Sequence, residues 1–497
     1  MDVAGSGLSD QELNLRPLAI GFALLTAALL VYSQTIAFHW DEGFHILTAR
    51  LIDTGKRPYL DFFFPQTPLN AYWNAAWMAV FGARWRVVHV VAALVTVGSV
   101  LLTAQYLTEL IPDRRWRPAV AFAALALFGL HSLVWEFGAS AQAYPLCLLL
   151  VVAAFRATIT AVAKPRVWAS SLAGLLAGVA AGSSLLTAAV APVLLVWIWL
   201  TNRVGNRWAK AAAFVASAGL ACLPVLILFV LGPQQVIFNI LKYHSIYRRV
   251  DWAGATSHDI EIATDWFNSS PSLLLVLLAL AGLAFIRQGQ FLPERRAELR
   301  LCVWLPLAII VQNLFAHPTF PQYFIFSIPF LTVLAGVGFH AVAVRLQNPD
   351  RPRVAVLLLL VTAGLCLGNS VYEDRDSYTW RKLERVAKKM QEVTPKGAPL
   401  LAPEQIYFLT NWPIPPGMEH EDAHKLKLPP AEEAKLHVVS KAEVERRVKS
   451  GEFPTTVSCD DDETSDLEDW DVYSQKAEFD RCTVFWQFKK NTAKPQP

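Results

Sequence analysis

The sequence predicts an all-α polytopic membrane protein with a small C-terminal α/β domain outside the bilayer. Three observations carry that prediction. Of 497 residues, 54% are hydrophobic and only 17% charged, with a mean hydropathy of +0.35, whereas a soluble chain of this size is closer to one-quarter charged. The apolar residues gather into runs of about twenty, the length that crosses a hydrocarbon core of roughly 30 Å. After residue 371 the chain turns charged and rich in proline.

About eleven spanning helices are expected, at 17–37, 86–107, 118–137, 142–163, 168–182, 184–201, 208–231, 271–287, 301–317, 323–344 and 354–371. The first run is longer than the roughly 7–15 residues of a signal-peptide core and no A-x-A-like site follows, so it is expected as an anchor. Arg16 stands at its edge, and the residues before it are assigned to the cytoplasm. The stretch 168–201 is one long apolar segment in which Gly178, Gly182, Ser183 and Ser184 mark the expected break.

Charge supports that division. With an inside N-terminus, the inside connections hold Arg114, Arg115 and Arg117; Lys164 and Arg166; Arg203, Arg207 and Lys210; Arg295, Arg296 and Arg300; and Arg345, Arg351 and Arg353. Every one is basic, as the positive-inside rule requires. The outside then receives a first loop (38–85), a middle loop (232–270) and the region 372–497, attached to a membrane domain of residues 1–371. The expected location is the bacterial inner membrane, with the C-terminal domain periplasmic. A net charge of +3 gives no reason to expect a nucleic-acid partner.

In the C-terminal region, Trp380, Leu383, Val386, Ala387, Met390 and Val393 share one helical face. Short apolar runs at 406–409, 437–439 and 483–488 are expected as strands. Cys459 and Cys482 lie where an oxidising compartment permits a disulfide; the other four cysteines fall within spans.

The first outer loop is where chemistry concentrates. Asp41 and Glu42 follow the first span and open a predicted helix, whose Phe44, Leu47 and Leu51 recur on one side and whose end Gly55 suits. Helix capping alone accounts for an isolated acidic pair, because carboxylates favour the positive end of the helix dipole. The continuation adds Pro58, Tyr59 and a third acid, Asp61, and then a second helix after Pro68 whose Trp73, Trp77, Val80 and Phe81 form an aromatic interfacial stripe.

This order of residues resembles the GT-C glycosyltransferases: a first span, an Asp-Glu pair, G-x-x-P-Y-x-D, then P-L and an aromatic helix ending in F-G. The branch it is similar to includes protein O-mannosyltransferases and lipid A aminoarabinose transferases. The matching residues are Asp41, Glu42, Gly55, Pro58, Tyr59, Asp61, Pro68, Leu69, Phe81 and Gly82. The resemblance implies transfer of a sugar from a polyprenyl-phosphate donor to a protein, lipid or glycan acceptor on the outer side. It implies Asp41 as the catalytic base, with Glu42 and Asp61 in support, and no required cofactor. The alternative of a divalent metal would draw on Asp41, Glu42 and His45.

The leaving phosphate calls for cations, and here the chain departs from the family, which often places a Lys where Gln66 stands and a basic residue where Gln322 precedes Tyr323. The middle loop offers Lys242, His244, Arg248 and Arg249 instead; Lys242 and Arg249, or His244 and Arg248, fall on shared helical faces. Each also reads as an ordinary basic turn beside lipid headgroups. His317, at the last outer turn, is a further candidate or a helix-end cap. The rival readings are a lipid-linked-sugar transporter or flippase and an envelope-assembly factor. A carrier should place charge near the midplane of several spans, and these spans are almost charge-free.

Overall fold

The computed structural model describes residues 16–247, 255–287, 293–316, 318–346, 352–460 and 470–489. Every apolar run expected to cross the membrane is helical in it. Six helices are long and apolar enough to span, or up to nine if three bent pairs each count as one crossing. The remaining two, Val167–Ser183 and Leu185–Thr201, are apolar but shorter. The eleven expected crossings are thus the right segments, but length and composition support six to nine of them as spans.

Three of the apolar runs bend within the expected spans or at their ends. The run expected at 118–137 breaks into Arg117–Ala124, a π-helical turn Leu125–Gly129 and Ser132–Gly138, with a 62° bend. The Trp135 indole donates to the Gly129 carbonyl at 2.7 Å across the break. The run 208–231 divides into Arg207–Ala221 and Leu223–Leu231 at 52°, where Pro224 has no N–H to give and its ring crowds the preceding turn. The break within 168–201 falls at Ser184, in extended backbone. Gly178 instead lies inside a helix, where a Cβ would come within 2.8 Å of the Ala218 carbonyl oxygen. Gly282 and Gly338 bring the 270–287 and 328–346 helices together in the same way, each facing a backbone oxygen of the other. Small residues at such seams let membrane helices approach closely.

Lys210, expected among the inside charges, is fully buried. Its ammonium shares three N–H groups among four oxygens around it, the carbonyls of Ala161 (2.5 Å), Lys164 (2.9 Å) and Val204 (2.6 Å) and Asn202 Oδ1 (2.7 Å). It closes the end of the Tyr144–Ala163 helix, where carbonyls lack helical partners and a cation is favoured.

Four helices and one sheet position everything that follows. The first helix, α1 (Arg16–Thr35), leads into α2 (Glu42–Asp53), α3 (Leu69–Phe81) and the long α4 (Trp85–Leu110). Gly55, at φ +93°, ends α2. Helix α3 buries Ala71, Asn74, Ala75 and Met78 and leaves Val80 and Phe81 exposed, so of the stripe expected at the interface only its end faces outward, while Trp73 and Trp77 are half-buried.

The C-terminal sheet has the order β1-β2-β4-β3, from Leu400–Leu401, Thr455–Cys459, Tyr473–Phe479 and Cys482–Phe488. β1 runs parallel to β2, and β4 is antiparallel to both its neighbours. The Trp380–Val393 helix packs its predicted face against this sheet. Of the expected strands only the last is one. The 406–409 run lies in a helix, Glu404–Thr410, and 437–439 is irregular. Runs of three or four apolar residues carry too little periodicity to separate strand from helix; Pro403 before an acidic first turn was the helix signal.

Cys459 and Cys482 face each other across β2 and β4 and are disulfide-bonded. The bond closes a loop of 23 residues, so removing it by Cys459→Ser with Cys482→Ser should cost about 3 kcal/mol of C-terminal domain stability. Thiol labelling with and without reductant checks the bond, and denaturant unfolding followed on Trp fluorescence checks the cost; equal stability with and without it contradicts the prediction.

Candidate active site

The acidic pair separates at the start of α2. Asp41 sits at the cap position, exposed and making no cap hydrogen bond through its side chain. Glu42 turns inward and is fully buried. Its Oε1 accepts the Ala141 backbone N–H at 2.8 Å and meets His89 Nε2; its Oε2 accepts the Trp380 indole N–H at 3.1 Å. His89 Nδ1 lies 2.7 Å from the Ser33 carbonyl, which can only accept, so that nitrogen carries a hydrogen. Two N–H groups donate to the carboxyl group and the His89–Oε1 pair shares a proton, so each oxygen of the buried side chain has a partner. His89 and Trp380 have no counterpart in the motif and were missed; neither stands near Glu42 in the sequence.

Beside Asp41 lies a second cluster. His39 Nε2 is 3.2 Å from Glu136 Oε1. Burial lowers the His39 pKa, but the bond to Glu136 and the charges of Glu136, Asp41 and Glu42 outweigh it and raise it overall. Asp374 joins from the other side, and burial together with Glu136 and Glu373 raises its pKa. Glu136, from the short helix Ser132–Gly138, thus reaches the rim of Asp41. Among the described residues no group of three His, Cys, Asp or Glu side chains is placed to hold a metal ion; Asp41 faces out, Glu42 faces in, and His45 is buried against Phe44.

The remaining first-loop candidates shape the loop. Tyr59 is fully buried, in the left-handed region at φ +68°, and donates to the Gln66 carbonyl at 2.6 Å. Asp61 is held by Arg57 through two side-chain hydrogen bonds, at 3.0 and 2.9 Å, and by the Arg57 backbone N–H at 2.7 Å. The Arg57 side chain, then its backbone N–H, hold the Asp61 carboxyl below the usual range despite a partial burial that raises it.

The middle loop docks directly on this loop. His244 Nε2 donates to the Pro65 carbonyl at 2.7 Å, and the Phe64 N–H donates to Asn239 Oδ1 at 2.8 Å. Gln66 and His244 are therefore neighbours, with Lys242 exposed on the same turn. Arg248, Arg249 and His317 lie outside the described residues. Gln322 and Tyr323 are buried in a 3₁₀ turn, Pro321–Ser327. A chain of ring contacts, Phe326 on Tyr144, Tyr144 on Phe137 and Phe137 on His39, places that turn on the same side as Asp41. Asp259 Oδ1 anchors the turn through the Thr319 N–H at 2.6 Å.

The C-terminal domain covers α2. Thr48 Oγ1 is 3.0 Å from His420 Nε2, Arg50 donates to the Phe408 carbonyl at 2.5 Å, and Lys56 pairs with Glu419 at 3.4 Å. His45 belongs to this interface, and burial, then His420, lower its pKa to about 3. A histidine kept neutral in the fold binds its proton only in the unfolded chain over the interval from about pH 6.5 to about pH 3. Stability should therefore fall with acidification in that window, by up to about 1.4 kcal/mol per pH unit. Melting temperatures near pH 7 and pH 5 check this. His45→Phe should flatten the dependence, and equal slopes in both proteins would contradict it.

A membrane bundle, an acid-bearing helix after the first span and a C-terminal domain closed over it make a fold that this chain shares with solved structures of two other proteins. The chain is similar to ArnT from Cupriavidus metallidurans, in crystal structures bound to undecaprenyl phosphate (TM-score 0.66, 15% identity) and in the apo state (0.67, 14%). In both, 95% of this chain and 98% of that one are covered. It is also similar to the Archaeoglobus fulgidus oligosaccharyltransferase tethered with an acceptor peptide (0.50, 11% identity), over 88% of this chain and 69% of that one. No protein-family model and no curated protein sequence matches the chain.

Proposed function

We propose that this protein is a membrane glycosyltransferase that moves a sugar from a polyprenyl-phosphate-linked donor to an acceptor on the extracytoplasmic side. The observation that carries the reading is the division of the acidic pair. Glu42 is enclosed by its partners, so Asp41 alone of the two is exposed to meet an acceptor. Asp41 takes the proton of the acceptor hydroxyl as that oxygen attacks the anomeric carbon. The bond from that carbon to the phosphate oxygen breaks, and the lipid phosphate departs with the electron pair. One base suffices, because a phosphate leaves without a strong acid.

Gln66, His244 and Lys242 make the proposed phosphate cradle, since first and middle loops meet there. His39 adds a candidate cation beside the base. The similarity of fold to a protein crystallised with undecaprenyl phosphate supports a lipid-linked donor. The proposed location is the inner membrane, with the loops at 38–85 and 232–270 and the C-terminal domain outside. The test is incubation of purified protein in lipid nanodiscs with undecaprenyl-phosphate-linked hexoses and pentoses and cell-envelope fractions, following release of undecaprenyl phosphate. Turnover of at least one donor is expected. No turnover, with passage of the same lipids across a proteoliposome membrane, would favour the flippase reading.

A further inference from the structure

We propose that the C-terminal domain is a working part of the active site, in which Trp380 and Gln405 act as positioning residues for Asp41. The inference rests on the reading of Asp41 as base. Asp41 lies between two residues whose places are set from that domain. Before it, the Trp40 carbonyl accepts from Gln405 Nε2 at 2.8 Å. After it, the Glu42 carboxylate accepts from the Trp380 indole at 3.1 Å. One residue further, Gly43 lies so close to Gln405 that a Cβ would stand 2.4 Å from Gln405 Nε2. The backbone carrying Asp41 is thus bracketed by side chains more than 330 positions away in sequence.

Trp380 is itself held firmly. Its ring is fully enclosed and stacks on Trp85 at 5.7 Å and 13°. One turn later Glu384 accepts from the Trp85 indole (3.1 Å) and from Arg86 (2.6 Å). The other contacts of Glu42 run to α4 through His89, on to Ser33 in α1, and to Ala141. The carboxylate is the point where membrane bundle and C-terminal domain meet, one residue from the proposed base. A base displaced by about 1 Å can lose roughly a hundredfold in rate, so a catalytic side chain on a short interfacial helix gains from a rigid outer brace. Glu42 acts in this reading through Asp41 and touches no substrate.

The test uses the full chain in nanodiscs. Trp380→Phe keeps an aromatic ring against Trp85 and removes the N–H aimed at Glu42 together with part of the indole's volume, a packing loss that the melting temperature reports. Arg86→Gln removes a different bond across the same helix pairing without touching Glu42. Trp380→Phe is expected to lower kcat roughly tenfold or more with the KM for the undecaprenyl-phosphate-linked donor unchanged. It should also speed amide hydrogen exchange over residues 39–45, while Arg86→Gln leaves both at wild-type values. Exchange over 39–45 no faster in Trp380→Phe, or equal losses in the two variants that follow their melting temperatures, would overturn the positioning role. Asp41→Asn in the same assays separates the two ideas. Activity surviving there removes the base itself, whereas a silent Trp380→Phe beside an inactive Asp41→Asn removes only the brace.

Discussion

Asp41→Asn is expected to abolish sugar transfer while the protein stays folded and still binds undecaprenyl phosphate. The amide matches the carboxylate in size but cannot accept a proton at neutral pH, and general-base catalysis contributes on the order of 10²–10⁴ in rate. The residue is exposed and its side chain caps no helical N–H, so the start of α2 should persist, and His39, whose pKa the Asp41 charge helps raise, is the neighbour expected to respond. Release of undecaprenyl phosphate from its sugar-linked form gives the rate, and co-purified lipid measured by mass spectrometry gives the binding. A wild-type rate in the Asn variant sinks the assignment of the base.

Glu42→Ala should instead disturb the fold. It removes the partner of His89 Nε2, the Ala141 N–H and the Trp380 N–H at once, in a position with no solvent access. Each buried polar group left without its partner costs on the order of 1–3 kcal/mol. The expected result is a lower melting temperature and faster hydrogen exchange over residues 380–393, because Trp380 loses its bond to the membrane domain. Loss of transfer would follow from displacement. If Glu42→Ala melts like wild type with unchanged exchange, the carboxylate is not the junction described.

The two variants divide a motif that the sequence presents as a unit. Both acids open a helix, both carry the family resemblance, and nothing local distinguishes Asp41 from Glu42. What separates them is the helical turn of about 100° per residue, which points one toward the surface and the other at α4 and the C-terminal domain. Tyr59 and Asp61 illustrate the same limit. Their spacing in the motif is legible, but their partners, the Gln66 carbonyl and Arg57, show that they shape the loop. Gln66, where the chain departs from the family, and His244, among the cations offered in its place, come from separate loops, and the fold makes them neighbours.

The sequence by itself determined the membrane class, the segments that become helices, the change of composition that begins the C-terminal domain, and Asp41 with its motif. These rest on composition and on periodicity within some twenty residues, which a linear reading captures. Only the tertiary structure decided where helices bend, that 406–409 is helical, and that Cys459 and Cys482 pair. It also decided that Glu42 faces inward to His89 and Trp380. Each of these depends on a partner distant in the chain, and burial makes such a partner binding: a polar group withdrawn from water must find its hydrogen bond wherever the fold supplies one.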